Sequence, residues 1–218
     1  MKNQPTQSQC PLCGSHNAVH FHADKQREYD RCPVCLLVFV PKRFHLNAEQ
    51  EKSFYDLHEN NPNDEGYRKF LSRLFDPLKE RLNIGDRGLD FGSGPGPTLS
   101  LMFDEVGFNT AIYDIYYAPD TAVLQQTYQF ITATEVVEHL SQPSVVLEQL
   151  WEMLEPGGWL GLMTKLVLDK TAFACWHYKN DPTHISFFSH ETLTWLADCW
   201  AAKPVFVGAD VVLLQKPK

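Results

Sequence analysis

Residues 87–115 read RGLDFGSGPGPTLSLMFDEVGFNTAIYDI. A short apolar run through Leu89 ends at Asp90, and Gly92, Gly94 and Gly96 then form a turn without side chains. PTLSLMFDEVG has helical periodicity and stops at Gly107, and NTAIYD makes a second strand finishing at Asp114. This is a βαβ unit, and it sets the class as α/β with parallel strands. It also has a chemical use. The glycines let the backbone approach a cofactor, and an acid about 20 residues beyond them can accept two ribose hydroxyls.

The order D-x-G-x-G-x-G places a carboxylate just ahead of the turn, where it would repel a pyrophosphate but could hold a nearby ammonium. That favours an aminoacyl-type cofactor over a dinucleotide. LDFGSGPG resembles the first motif of the class I S-adenosylmethionine-dependent methyltransferases. The resemblance implies a Rossmann-like sheet of parallel strands closed by an antiparallel hairpin. In that family the glycine turn and its leading acid hold the methionine part of the cofactor, here Asp90, Gly92, Gly94 and Gly96. Asp114 would hold the ribose, with Ile115, Thr134 and Glu135 completing the cofactor set.

Further matches follow in the family's order, over about residues 85 to 215. YQFITATEVVEHL resembles its fourth strand, VVLEQLWEMLEPGGWLGLMT its next helix, turn and fifth strand, and PVFVGADVVLLQKP its closing hairpin. The helix is also legible from the residues: Ser141 can cap it, Pro143 suits its first turn, Val146, Leu147, Leu150 and Leu154 form a stripe, and Gly157 and Gly158 stop it. Ahead of the first strand, Phe70, Leu71, Leu74, Phe75, Leu78 and Leu82 stand at helical spacing, with Pro77 as a kink point. Two features depart from the family. Gln129 stands where the family often has Asp, and only 13 residues separate Asp114 from Tyr128. That is too few for a usual crossover helix and a third strand.

The chain has 218 residues, 44% of them hydrophobic, and a net charge of −8. This suffices for one full core and a small appended module. The first residues are polar, and no run reaches the 18 apolar residues of a membrane span, so the expectation is a soluble, cytoplasmic protein. Residues 1–45 carry six basic and three acidic residues, a net +3, which leaves −11 for the remainder. So acidic a main domain is a poor binder of phosphate backbones. The expected partner is a small molecule rather than nucleic acid.

Cys10, Cys13, Cys32 and Cys35 form C-x2-C-x18-C-x2-C. Two such knuckles match a tetrahedral zinc site with four thiolates and no open position, hence structural or recognitive in role. Two disulfides would need an oxidising compartment, and redox chemistry would need one pair beside a βαβ unit. The division expected is a zinc ribbon over 1–45, a polar linker with room for one short helix over 46–64, and a methyltransferase domain over 65–218. Cys175 and Cys199 are isolated thiols.

Glu135, Glu138 and His139 stand at i, i+3 and i+4, and on one helical turn would share a side. Two carboxylates so placed repel unless something positive sits between them. Oxygen ligands with a histidine suit magnesium or another divalent cation. E-x-x-E-H resembles both the O-methyltransferases of ubiquinone biosynthesis and the enzymes that methylate the 2′-hydroxyl at small-RNA 3′ ends. In the latter the motif and a later histidine bind metal, which here implies Glu135, Glu138, His139 and His184. The alternative is that Glu135 lines the cofactor pocket and His139 acts as a base or satisfies a buried backbone group. The catalytic candidates are thus His139, His184 and Glu138. Trp176, His177 and Tyr178, in the aromatic stretch after the fifth strand, are candidate substrate residues. Phe187 and Phe188 read as core. The function expected is methyl transfer to the oxygen or carbon of a small molecule. An RNA methyltransferase using the basic ribbon, and a non-catalytic cofactor-binding module, are the alternatives.

Overall fold

The computed structural model of the protein describes residues 8–57 and 61–218; residues 1–7 of the expected ribbon and 58–60 of the expected linker lie outside the described residues. The ribbon opens with a hairpin of β1 (Val19–Ala23) and β2 (Glu28–Arg31). Asp24 shapes its turn by accepting the backbone N–H groups of Gln26 and Arg27 at 2.8 and 3.0 Å. β3 (Val38–Phe39) pairs with β2 on one side.

α1 (Ala48–Tyr55) starts at a reciprocal cap between Asn47 and Gln50 and buries none of its residues. α2 (Glu65–Lys79) starts at Asp64, which accepts the Tyr67 N–H, and buries Leu71, Leu74, Phe75 and Leu78. Pro77 lies within its last turn, and the helix continues past it.

β4 (Arg87–Phe91), α3 (Thr98–Asp104) and β5 (Asn109–Tyr113) form the βαβ unit expected from the glycine turn, with β4 and β5 parallel. After β5 the chain folds back at Asp114 and Ala118, whose backbone groups bond each other at 3.0 and 3.1 Å. One 3-10 turn, Thr121–Gln125, leads to β6 (Tyr128–Thr134) on the far side of β4. Among the described residues β5 is therefore the sheet edge, as the short connection requires.

α4 (Pro143–Met153) ends earlier than the glycines suggest, and Pro156, Gly157 and Gly158 lie inside β7 (Leu154–Met163). Lys216 stops the helix instead, its ammonium donating to the carbonyls of Trp151 and Leu154 at 2.8 Å each. A cation at the negative end of a helix is favourable there. The helix also lacks the cap expected from Ser141; Gln142 precedes Pro143 and its side chain does not cap the helix.

α5 (Lys170–Ala174) leads to β8 (Ser186–Phe187) and then to α6 (His190–Cys199), capped by Ser189. β9 (Pro204–Val207) and β10 (Val211–Gln215) make the closing antiparallel hairpin. The main sheet runs β5-β4-β6-β7-β10-β9, parallel through β7 and antiparallel thereafter. α2 and α3 pack on one face, and α4 and α6 on the other.

The ribbon is built into this body. β8 pairs with β3, Val38 opposite Phe187 and Phe39 opposite Ser186, giving a second sheet in the order β1-β2-β3-β8. Phe21, Tyr29, Val38 and Val40 share a core with Val167, Phe173, Tyr178 and Phe187.

In the main sheet Gly88 sits opposite Phe130, and a Cβ at Gly88 would lie 2.1 Å from the ring. Gly88→Ala should therefore lower unfolding free energy by about 1–3 kcal/mol in urea titrations, the usual cost of overpacking. Adding Phe130→Leu should recover part of that loss; equal stability of the single variant and the parent would contradict this packing.

Candidate active site

A cavity of about 770 Å³ opens at the carboxyl ends of β4, β5 and β6. Gly92 and Gly94 have φ of 75° and 65°, a conformation suited to glycine. A Cβ at Gly92 would come within 2.4 Å of Val136 Cγ2, so the turn passes where no side chain fits. Asp90 behind it is buried and accepts the Thr132 hydroxyl at 2.8 Å. Burial pushes its carboxyl up to about 7, against the pull of that bond. Asp114 accepts the N–H of Gly94 on one oxygen, and those of Tyr116 and Tyr117 on the other. Oδ2, with the single bond from Gly94, keeps a second lone pair for a ligand.

Asp90, Gly92, Gly94, Asp114, Ile115, Thr134 and Glu135 all line the cavity, whereas Gly96 is buried beneath it. Among the described residues the wall carries five carboxylates, Glu51, Asp90, Asp114, Glu135 and Asp181, and no lysine or arginine. Such a cleft favours a cation.

The Glu-Glu-His segment is not the helical turn that its spacing suggests. Glu135 has φ of 53°, and Val137–His139 forms a 3-10 turn. The two carboxylates meet at the Tyr178 hydroxyl, which bonds Glu138 Oε1 closely and lies 3.3 Å from Glu135 Oε2. Glu138 Oε2 and Glu135 Oε1 are buried without a hydrogen-bond partner among the described residues. Burial first and the neighbouring Glu135 second push Glu138 up to about 8. At neutral pH this pair thus holds a proton, which relieves the repulsion that the sequence raised.

His184 lines the cavity beside His139, their rings 4.7 Å apart. His184 Nδ1 is 2.8 Å from the Tyr178 carbonyl, so Nδ1 carries the hydrogen and Nε2 is the basic nitrogen. Burial holds this imidazole below its ordinary range. His139 Nδ1 faces the Thr183 carbonyl at 3.2 Å, and its ring meets Tyr55 edge-on. One donor atom each from Glu138, His139 and His184 lie within 4.8 Å of one another, a group that does not include Glu135.

The expected substrate residues lie elsewhere. Trp176 packs against Phe173, Tyr178 and Phe187; His177 is exposed beside Lys165; and Tyr178 stands behind the wall. Phe187 and Phe188 are core. The cavity is walled instead by Glu51 and Tyr55 of α1, Tyr67 and Phe70 of α2, and Asp181. The Asn47-x-x-Gln50 capping box was the signal for α1 in the polar stretch, and nothing in the sequence showed that the helix would turn to the cleft.

The four ribbon sulfurs lie within 4.8 Å of one another, with Cys10 to Cys35 at 3.5 Å and Cys13 to Cys32 at 3.4 Å. A bond from Cys35 pulls the Cys10 thiol down to about 5, while Cys35 is pushed up. Sulfurs about 2.3 Å from a tetrahedral zinc stand about 3.8 Å apart, so the set suits that ion.

A family model of a methyltransferase domain matches residues 58–199. No curated protein matches the chain in sequence. Among solved structures, the 1,6-didemethyltoxoflavin-N1-methyltransferase of Burkholderia thailandensis, with bound 1,6-didemethyltoxoflavin and S-adenosylhomocysteine, is 14% identical. The match covers 91% of this chain and 99% of that one, with a TM-score of 0.53. An O-methyltransferase family protein from the same organism is 12% identical over 81% of this chain and 62% of that one, also at 0.53. A methyltransferase from a complex with the Haloferax volcanii Trm112 activator is 10% identical over 78% and 98%, at 0.50. The glycine turn and the carboxylate wall fit a cofactor that carries a sulfonium and an ammonium. The glycine turn, the sheet built on it and the family match lead to one identification: the chain belongs to the methyltransferase-domain family and is a class I S-adenosylmethionine-dependent methyltransferase.

Proposed function

We propose that the enzyme methylates an uncharged small molecule at an oxygen or carbon atom. The observation that carries this reading is a wall that bears five acidic side chains and, among the described residues, no lysine or arginine to receive a phosphate or carboxylate. Tyr55, Tyr67 and Phe70 supply apolar area for a ring. When bound, the cofactor supplies an electrophilic methyl group on a sulfonium, and the rest is positioning and proton handling. A hydroxyl or activated C–H must give up a proton as it attacks, and His184 Nε2 is the base that takes it. The Tyr178 carbonyl fixes that tautomer by holding Nδ1–H. Glu138 and Glu135 hold their own proton against Tyr178 and steady the wall behind the ring.

This role for the Glu138 and Glu135 pair stands in place of a divalent cation on Glu138, His139 and His184. The four cysteines hold zinc in a structural ribbon as thiolates, not joined in disulfides, which suits a reducing compartment such as the cytoplasm. No helix among the described residues is long and apolar enough to cross a membrane. The reading over RNA rests also on the ribbon's charge, part of which is committed: Arg27 is buried and Arg43 pairs with Glu28. The small 1–45 ribbon and the 65–218 catalytic domain are retained as the division, with α1 of the 46–64 stretch serving the cleft.

Turnover of S-adenosylmethionine should be at least tenfold faster with uncharged hydroxylated aromatics than with their phosphate esters or with RNA, given the field of the wall. Faster turnover on phosphates or RNA would contradict the reading. His184→Gln should cost about 10²–10⁴ in turnover and leave S-adenosylhomocysteine affinity within about twofold; unchanged turnover would remove His184 as the base.

Glu138 also gives a test in stability. Folded, it keeps a proton up to about 8, whereas the unfolded chain releases it near 4.3. Stability therefore falls as pH rises through that window, because the folded state binds more protons. Glu138→Gln keeps an acceptor for Tyr178 and should flatten this fall in melts between pH 5 and 8.5. Parallel profiles for the two proteins would show that Glu138 is ionised in the fold.

A further inference from the structure

Arg27, in the turn between β1 and β2, is 6% exposed, which is unusual for an arginine. It forms no ion pair among the described residues; its guanidinium is spent on carbonyl groups of one distant loop. Nη1 donates to Pro182 at 3.0 Å, and Nη2 donates to Lys179 at 2.5 Å and to Asp181 at 2.6 Å. Nε donates to the Tyr29 hydroxyl at 3.0 Å, which in turn donates to Asp24 Oδ2 at 2.8 Å. Asp24 also accepts the buried Lys179 ammonium at 3.1 Å. The ribbon hairpin thus grips residues 179–182 by a planar fork whose geometry a lysine cannot copy.

The gripped loop leads directly into the acceptor wall. Asp181 and His184 line the cavity, and the Tyr178 carbonyl that holds His184 Nδ1 lies one residue before the first gripped carbonyl. Beyond His184 the chain is held again. Val40 N–H of the ribbon donates to Ile185 O at 2.9 Å, Ile185 N–H donates to Glu138 O at 2.8 Å, and β8 lies on β3. The segment from Tyr178 to Phe187 is therefore clamped between ribbon and sheet at both ends, and His184 sits in the span between the clamps.

We propose that Arg27 is a positioning residue for methyl transfer, and that the ribbon serves the reaction by holding the 179–182 loop so that His184 presents Nε2 to the cleft. The role rests on the assignment of His184 to the acceptor wall. It is read from the ring itself without any acceptor, so its failure and the failure of that assignment are separate results. A ribbon that only recognised a partner would have no use for an arginine turned inward onto carbonyls beside the active site.

The test is nitrogen NMR of zinc-loaded, histidine-labelled full-length protein with S-adenosylhomocysteine, comparing the parent with Arg27→Lys. The parent should show His184 with its hydrogen on Nδ1, the opposite of the tautomer favoured by a free imidazole. Arg27→Lys keeps the charge but loses the fork, so any change reports geometry and not field. The expected result is loss of the Nδ1–H signature and roughly tenfold faster amide exchange over residues 178–186, with cofactor-product affinity within about twofold. Should Arg27→Lys fail to fold, Tyr29→Phe is read in the same way, since it removes one hydroxyl from the clamp and keeps the buried ring. An unchanged tautomer and unchanged exchange in the folded variant would overturn the proposal. So would a parallel loss of cofactor-product affinity, which would make Arg27 a support for the whole fold.

Discussion

The backbone at Gly92 approaches Val136 so closely that no side chain can stand between them. This contact ties the end of β4 to the segment after β6, the two strands between which the cofactor cleft opens. Gly94 N–H bonded to Asp114 adds β5 to the same junction. The parallel sheet sets these three strand ends side by side, and the glycines bring backbone where side chains would fill the space. Asp90, buried under the turn and joined to Thr132, fixes β4 to β6 from below. The chemistry of the cleft follows from that geometry.

Charge follows from it as well. A cationic cofactor needs carboxylates near it, yet burying several in one cleft raises their cost. The protein spreads that cost in two ways. Asp114 is satisfied by backbone N–H groups, whereas Glu135 and Glu138 share the Tyr178 hydroxyl and a proton. Glu138 of the latter pair stands beside the His139 and His184 rings, and the Tyr178 hydroxyl reaches both carboxylates.

The sheet and the residues that line the cleft at its strand ends were legible because each has a local signature. Glycines at alternate positions, an acid at the end of each strand and the periodicity of the helices need no distant partner. The short reach from Asp114 to Tyr128 likewise announced the missing third strand. Long-range features were hidden. The end of α4 depends on Lys216, which no window around residue 153 contains. Trp176 and Tyr178 look like pocket aromatics in sequence, but β8 carries their segment onto the ribbon, where Trp176 joins a core and Tyr178 backs the wall. Glu135, Glu138 and His139 have helical spacing, and a positive φ at Glu135 breaks the helix that would have aligned them. Arg27 had no signature at all, since its carbonyl partners lie some 150 residues away.

Calorimetric titration of S-adenosylhomocysteine into the zinc-loaded protein and into Gly92→Ala bears most directly on the cleft. The parent should bind one equivalent with saturable heat. Gly92→Ala, forced into a left-handed conformation and against Val136, should remain folded and lose at least about 1.4 kcal/mol of binding, a factor of ten. Equal affinity in the two proteins, or no binding by a folded parent, would contradict the assignment of this turn as the cofactor cradle.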